Sequence, residues 1–70
     1  MEADVRIIGG GSVFLFLLLT PEAAAWVAER VSGDRQMLGR GLAVEHRYAA
    51  ALAADMLKDG LGIDDREVAP

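Results

Sequence analysis

The sequence predicts a two-layer α/β (α+β) domain of order β-β-α-β-α, in which a three-stranded sheet carries two helices. Three observations lead there. Two apolar segments of strand length, Val5–Ile8 and Val13–Leu19, flank a run of three glycines. Thr20-Pro21-Glu22 then opens a segment whose apolar residues return at helical spacing. A second helical segment ends at Gly60, and Leu42-Ala43-Val44 stands between the two.

Val5 to Ile8 is rich in β-branched residues with one polar interruption, Arg6, which predicts a short strand. Gly9-Gly10-Gly11-Ser12 is a turn, since glycine reaches positive φ without steric cost. Val13 to Leu19 suits a second strand and is short for a helix. Its apolarity is continuous, which implies that both faces are covered. The turn makes the two strands a hairpin.

Thr20 can cap free N–H groups, proline fits the first helical position, and Glu22 favours the positive end of the helix dipole. The helix runs to about Val31 with a stripe of Ala23, Ala24, Val27, Ala28 and Val31, and Trp26 at its edge. Gly33 is read as its left-handed cap. Residues 34–41 are read as a loop and Leu42-Ala43-Val44 as the third strand. The second helix spans about His46 to Asp59, with Tyr48, Ala49, Leu52, Ala53 and Met56 on one face. Gly60 caps it, and Leu61 can fold back onto Met56 or Leu57. One domain covers residues 1–61, and 62–70 is a polar, frayed tail. The second strand, first helix and third strand form a crossover, which should be parallel and right-handed if the strands share a sheet.

Composition narrows the functional classes. A 70-residue chain buries only roughly 60% of its unfolded surface, so its core is thin and usually needs a staple. With no cysteine, disulfides and zinc–thiolate sites are excluded, and the lone His46 argues against a histidine-rich metal site. Oligomerisation or a partner remains. The net charge of −4 disfavours general nucleic-acid binding. Ile7 to Pro21 carries no charge and Ala23-Ala24-Ala25 resembles a cleavage site, but Glu2 and Asp4 replace the positive start of a secretory signal. Pro21-Glu22 also stops the run short of a membrane span. A cytoplasmic protein is expected.

Motifs that could carry chemistry are weak. Val5 to Ser12 resembles the start of a dinucleotide-binding fold, but Phe14 stands where the fingerprint needs glycine or alanine, and a strand follows where it needs a helix. Glu45-His46 lacks a nucleophile pattern and reads as a helix entry. Asp59, Asp64-Asp65 and Glu67 lack the spacing of a calcium loop. No enzyme is expected, and no catalytic, cofactor-binding or metal-ligating residue is assigned. Arg35, Arg40 and Arg47 flank or lie in the loop at 34–41 and could hold a phosphate or an acidic partner. Trp26 is read chiefly as packing, with a binding hot spot as the alternative.

Thr20-Pro21-x-x-x-x-Trp26-Val27, then Leu42-x-Val44-Glu45-x-Arg47-Tyr48, then Asp59-Gly60-Leu61, resembles a set of short proteins encoded by bacteriophages and prophages. The resemblance covers about Ser12 to Leu61 and departs at Met37-Leu38-Gly39-Arg40, where those proteins often carry an aromatic residue. It implies a cytoplasmic accessory protein that binds host or phage proteins, by analogy an inhibitor of a defence complex such as the anti-CRISPR proteins. The alternatives are a nucleic-acid-binding regulator using the arginine loop and an accessory subunit of a larger assembly.

Side-chain alternation sharpens this expectation. Val13, Leu15, Leu17 and Leu19 point to one face of the second strand, and Phe14, Phe16 and Leu18 to the other. If both helices share a side, one face has no cover from its own chain. A homodimer or a partner protein is expected to cover it. Partner contact is assigned to Phe14, Phe16, Trp26, Arg35, Arg40 and Arg47. On that assignment Phe16→Glu breaks a dimer and Leu17→Glu unfolds the chain; the reverse pattern would exchange the two faces.

Overall fold

The computed structural model describes residues 3–31 and 36–68. Its elements are β1 (Val5–Gly9), β2 (Val13–Leu18), α1 (Pro21–Arg30), β3 (Gln36–Leu38), β4 (Gly41–Glu45), α2 (His46–Lys58) and β5 (Ile63–Val68). The class is α+β, as the patterning predicts, but the sheet has five strands in the order β3-β4-β2-β1-β5.

The glycine run makes the expected hairpin. β1 and β2 pair antiparallel, with Val5 opposite Leu18 and Gly9 opposite Phe14. Helix α1 begins at the Thr20 signal: the hydroxyl oxygen accepts the Ala23 N–H at 3.2 Å, and Pro21 opens the helix. The helix ends at Arg30, with extended Val31 as its cap. The reading of Gly33 as cap lies outside the described residues.

Helix α2 ends in a Schellman motif. The Leu61 N–H bonds the Met56 carbonyl at 3.0 Å, and the Gly60 N–H bonds the Leu57 carbonyl at 3.0 Å. Gly60 sits at φ 92°, where a side chain would be strained. Leu61 and Met56 are both buried in the one hydrophobic core, as the hydrophobic side of this cap requires.

Two strands correct the sequence reading. Residues 36–38, expected within a loop, form β3 and pair antiparallel with β4. The Gly39-Arg40 turn between them reverses the chain, so β4 returns antiparallel to β2, with Leu15 opposite Ala43. The parallel crossover from β2 through α1 therefore reaches β3, and β4 lies between. The second correction is β5. Residues 63–68, expected in a frayed tail, pair parallel with β1, Val5 opposite Ile63. Residues 69–70 lie outside the described set.

This topology puts both helices on one face. α1 joins β2 to β3, and α2 joins β4 to β5; the two connections cross the sheet in opposite directions between strands of opposite direction. Right-handed crossovers of that kind fall on the same side. The core agrees. Val5, Ile7, Phe16, Leu18, Leu42 and Val44 of the three central strands meet Ala23, Trp26 and Val27 of α1 and Ala49 and Met56 of α2. The helix stripes are shifted from expectation. Trp26 is buried and Ala24 and Ala28 are exposed, while Tyr48, expected on the buried face of α2, is 55% exposed beneath the Arg47 guanidinium.

Asp4 ties the ends of this unit together. Its carboxylate accepts the Gly62 N–H and the Thr20 hydroxyl, both at 2.8 Å. Its backbone N–H donates to the Gly62 carbonyl at 2.9 Å, and its carbonyl accepts the Leu19 N–H at 2.8 Å. One residue thus fixes the start of β1, the cap of α1 and the entry to β5. Beyond that entry the β1–β5 register shifts between Arg6 and Ile8, which leaves two β5 residues opposite Ile7. Asp64 supports this bulge by accepting the Arg66 backbone N–H at 3.1 Å.

Candidate interaction surface

With both helices on one side, the opposite face of the sheet is lined by the other half of each alternation. Strand β2 is central and presents Val13, Leu15 and Leu17 there, and Leu19 continues the row past its end. Ile8 flanks Leu15 on β1 and Ala43 flanks it on β4. Val13 is 52% and Leu19 39% exposed, and Ile8, Leu15, Leu17 and Ala43 are half-buried by one another. Among the described residues no element lies over this face.

The face is also flat at its centre. Gly41 is placed opposite Leu17, and a Cβ built on it would come 2.5 Å from Leu15 Cδ1. The missing side chain lets Leu15 lie down across β4 instead of standing off the sheet. Glycine is buried here by its cross-strand diagonal neighbour, a packing role and not a turn.

Charges rim the apolar strip. Arg6 stands opposite Leu17 and is 3.6 Å from Asp64, which also pairs with Arg66 at 3.0 Å. Hydrogen bonds from the Arg66 side chain and backbone hold the Asp64 carboxyl down at about 2. Across the strip, Glu45 stands opposite Val13 and pairs with Arg47 at 3.2 Å.

The residues assigned to partner contact are not gathered into one site. Phe16 is fully buried under the helices and Phe14 packs against the same core, so the phenylalanine face is the covered one. The expectation placed the two faces the other way round. The reason is bulk on the neighbouring strands: Leu42 and Val44 share the phenylalanine face, whereas Gly41 and Ala43 share the leucine face. Trp26 is buried at 8% exposure, and its indole N–H donates to Asp59 at 2.7 Å, so it closes the core between the helices. Arg40 and Arg47 are exposed at opposite ends of β4, a five-residue strand that spans about 17 Å at roughly 3.3 Å per residue. They do not converge on one anion. Arg35 lies outside the described residues.

The groups weighed for chemistry are likewise apart. Glu45 turns to Arg47, exposed His46 opens α2, and the His46 backbone N–H donates to the Ser12 carbonyl at 2.9 Å. The glycine run closes a hairpin and precedes no helix. Among the described residues, no three acidic or histidine side chains are grouped to hold a metal, and no helix is long and apolar enough to cross a membrane.

No family model, no curated protein and no solved structure matches this chain. The sequence reading passed over Asp4 as a structural node, and Leu15 and Leu17 as surface. Alternation alone separates the two faces. The size of the cross-strand neighbours, glycine and alanine against leucine and valine, was the signal that could have told which one is open.

Proposed function

We propose that this chain is a small protein–protein interaction module that works by seating its open sheet face against another protein surface. The observation that carries this reading is the uncovered aliphatic strip on the central strand, Val13, Leu15, Leu17 and Leu19, in a chain whose helices are both spent on the other face. A contiguous apolar patch rimmed by charge is the usual mark of an interaction site in a small domain. The phage-type resemblance supplies the setting: an accessory protein in the cytoplasm of a bacterial host, with inhibition of a defence complex as the form of action it suggests.

The test compares the wild-type chain with Leu17→Asp, which charges the open face, and with Arg40→Ala, which leaves it intact. The reading expects Leu17→Asp to keep a wild-type circular dichroism spectrum and to lose both stoichiometric protein association and cellular activity. Arg40→Ala should keep both. Full association by folded Leu17→Asp would overturn the reading. Loss in Arg40→Ala alone would favour a regulator that binds through its cations.

A further inference from the structure

Resting on the reading of the open face as a protein-binding surface, we infer that its occupant is a second copy of this chain, packed face to face about a two-fold axis that crosses Leu15, with Arg6 of each copy set against Glu45 of the other.

The argument is the symmetry of the rim. Arg6 is one strand from β2 and level with Leu17; Glu45 is one strand from β2 on the other side and level with Val13. Leu15 is therefore the midpoint between them, each about 8 Å away at the usual strand spacing and rise. An isologous interface requires such a pattern, because each patch must match itself after rotation. A two-fold axis lying between the sheets, perpendicular to the Arg6–Glu45 diagonal, exchanges the two positions. It brings opposite charges together twice, once at each end. It also lays Leu15 on its own copy at the axis, where Gly41 has let that side chain lie flat.

The same rotation crosses the strands of the two sheets at roughly 70°, near the orthogonal class of sheet packing. Strand spacing and rise give the five-stranded face a footprint of about 400 Å². That is about a twelfth of the 4781 Å² surface of the chain and about half of the roughly 800 Å² that each partner gives to a standard interface, which puts this dimer at the small end of specific association. Arg6 keeps its own Asp64 while reaching Glu45, since a guanidinium offers five N–H donors. The helical faces, with exposed Tyr48 and Leu57, remain outside and available to a third molecule.

Charge reversal tests the arrangement. The wild-type chain should sediment at twice 7.5 kDa in the micromolar range. Arg6→Glu and Glu45→Arg should each raise the dissociation constant by about tenfold or more, because each sets like charges together at both ends. The double variant should return to near the wild-type value. An equimolar mixture of the two single variants should also associate as well as wild type, since both cross pairs are then opposite in sign. That result separates the contact between copies from damage to Arg6–Asp64 or Glu45–Arg47 within one copy, which mixing cannot repair. A wild-type monomer at hundreds of micromolar, or single variants that mixing does not rescue, would overturn this dimer. If the chain is a monomer and Leu17→Asp still abolishes association with another protein, only the dimer falls. If Leu17→Asp changes nothing, the interaction reading falls as well.

Discussion

The indole N–H of Trp26 donates a 2.7 Å hydrogen bond to the carboxylate of Asp59, thirty-three residues away in the chain. The bond joins the middle of α1 to the cap of α2. Arg30 meets the same carboxylate oxygen at 3.3 Å and lies 5.9 Å from the centre of the Trp26 ring. A tryptophan that the sequence leaves between core and partner contact thus has its polar end satisfied from within.

Asp59→Ala is expected to destabilise the chain by about 1–3 kcal/mol, because it leaves a buried donor without an acceptor. Asp59→Asn keeps an acceptor and should recover most of that loss. Urea unfolding of the three proteins decides the point, and equal midpoints would remove the bond from the account of stability.

Thr20→Ala should cost more than an ordinary helix cap. The hydroxyl accepts from Ala23 and donates to Asp4, so two bonds are lost, for about 2 kcal/mol in all. Thr20→Ser keeps both. In a domain of this size each kilocalorie moves the melting temperature by about 4–8 °C. A loss of only one cap's worth would mean that the Asp4 contact adds nothing.

Gly60→Ala is expected to destabilise by about 1–2 kcal/mol through backbone conformation alone. The residue sits at φ 92°, and a Cβ there would meet no atom within 4 Å. Gly60→Asn should cost less than alanine, since asparagine tolerates this region better. If alanine and asparagine are equally harmless, the Schellman geometry is not holding the end of α2.

Acid should destabilise the chain through Asp4 and Asp64. The Gly62 N–H, and after it the Thr20 hydroxyl, hold the Asp4 carboxyl below its ordinary value, and Arg66 holds Asp64 at about 2. A carboxyl depressed on folding contributes stability that is complete above its unfolded value, about 3.9, and disappears as pH falls through the folded one. The melting temperature is therefore expected to stay level from pH 7 to about 5 and to fall between about 4 and 2. Asp64→Asn should lower it at neutral pH and converge with wild type near the acid end. Parallel curves across the whole range would show that Asp64 carries none of the acid sensitivity.

Much of the fold is legible because its signals are local. The glycine run, Thr20-Pro21 and Gly60-Leu61 each dictate a backbone conformation within a few residues, and each element begins or ends where they stand. Strands β3 and β5 are hidden because their cause is not local. Gln36-Met37-Leu38 has no β-branched residue and becomes a strand only when the Gly39-Arg40 turn folds it against β4. Ile63 to Val68 holds four consecutive charged residues, a poor strand by propensity. It is tolerated at the sheet edge, where charge also discourages further pairing.

The open face was half legible. Alternation along Val13 to Leu19 separates two apolar sides, and the shared side of the helices follows from topology. Which side the helices take depends on how Phe14 and Phe16 match Leu42 and Val44 one strand away, a register that the chain acquires only on folding.

The pairing of Val5 with Ile63 bears on the order in which this protein can assemble. Strand β1 is synthesised early, and its hairpin with β2 can close at once. Asp4, however, gains its Gly62 partner only after nearly sixty further residues have left the ribosome. Until then the edge of β1 stands open beside an apolar sheet, the state most exposed to mispairing with a neighbouring nascent chain. Closing that edge is a long-range event with a high loop entropy, so it belongs to the slow end of folding for a domain of this length. The charged β5 then serves as a latch: it arrives after the other four strands, and its three acids and Arg66 discourage further strands from adding beside it.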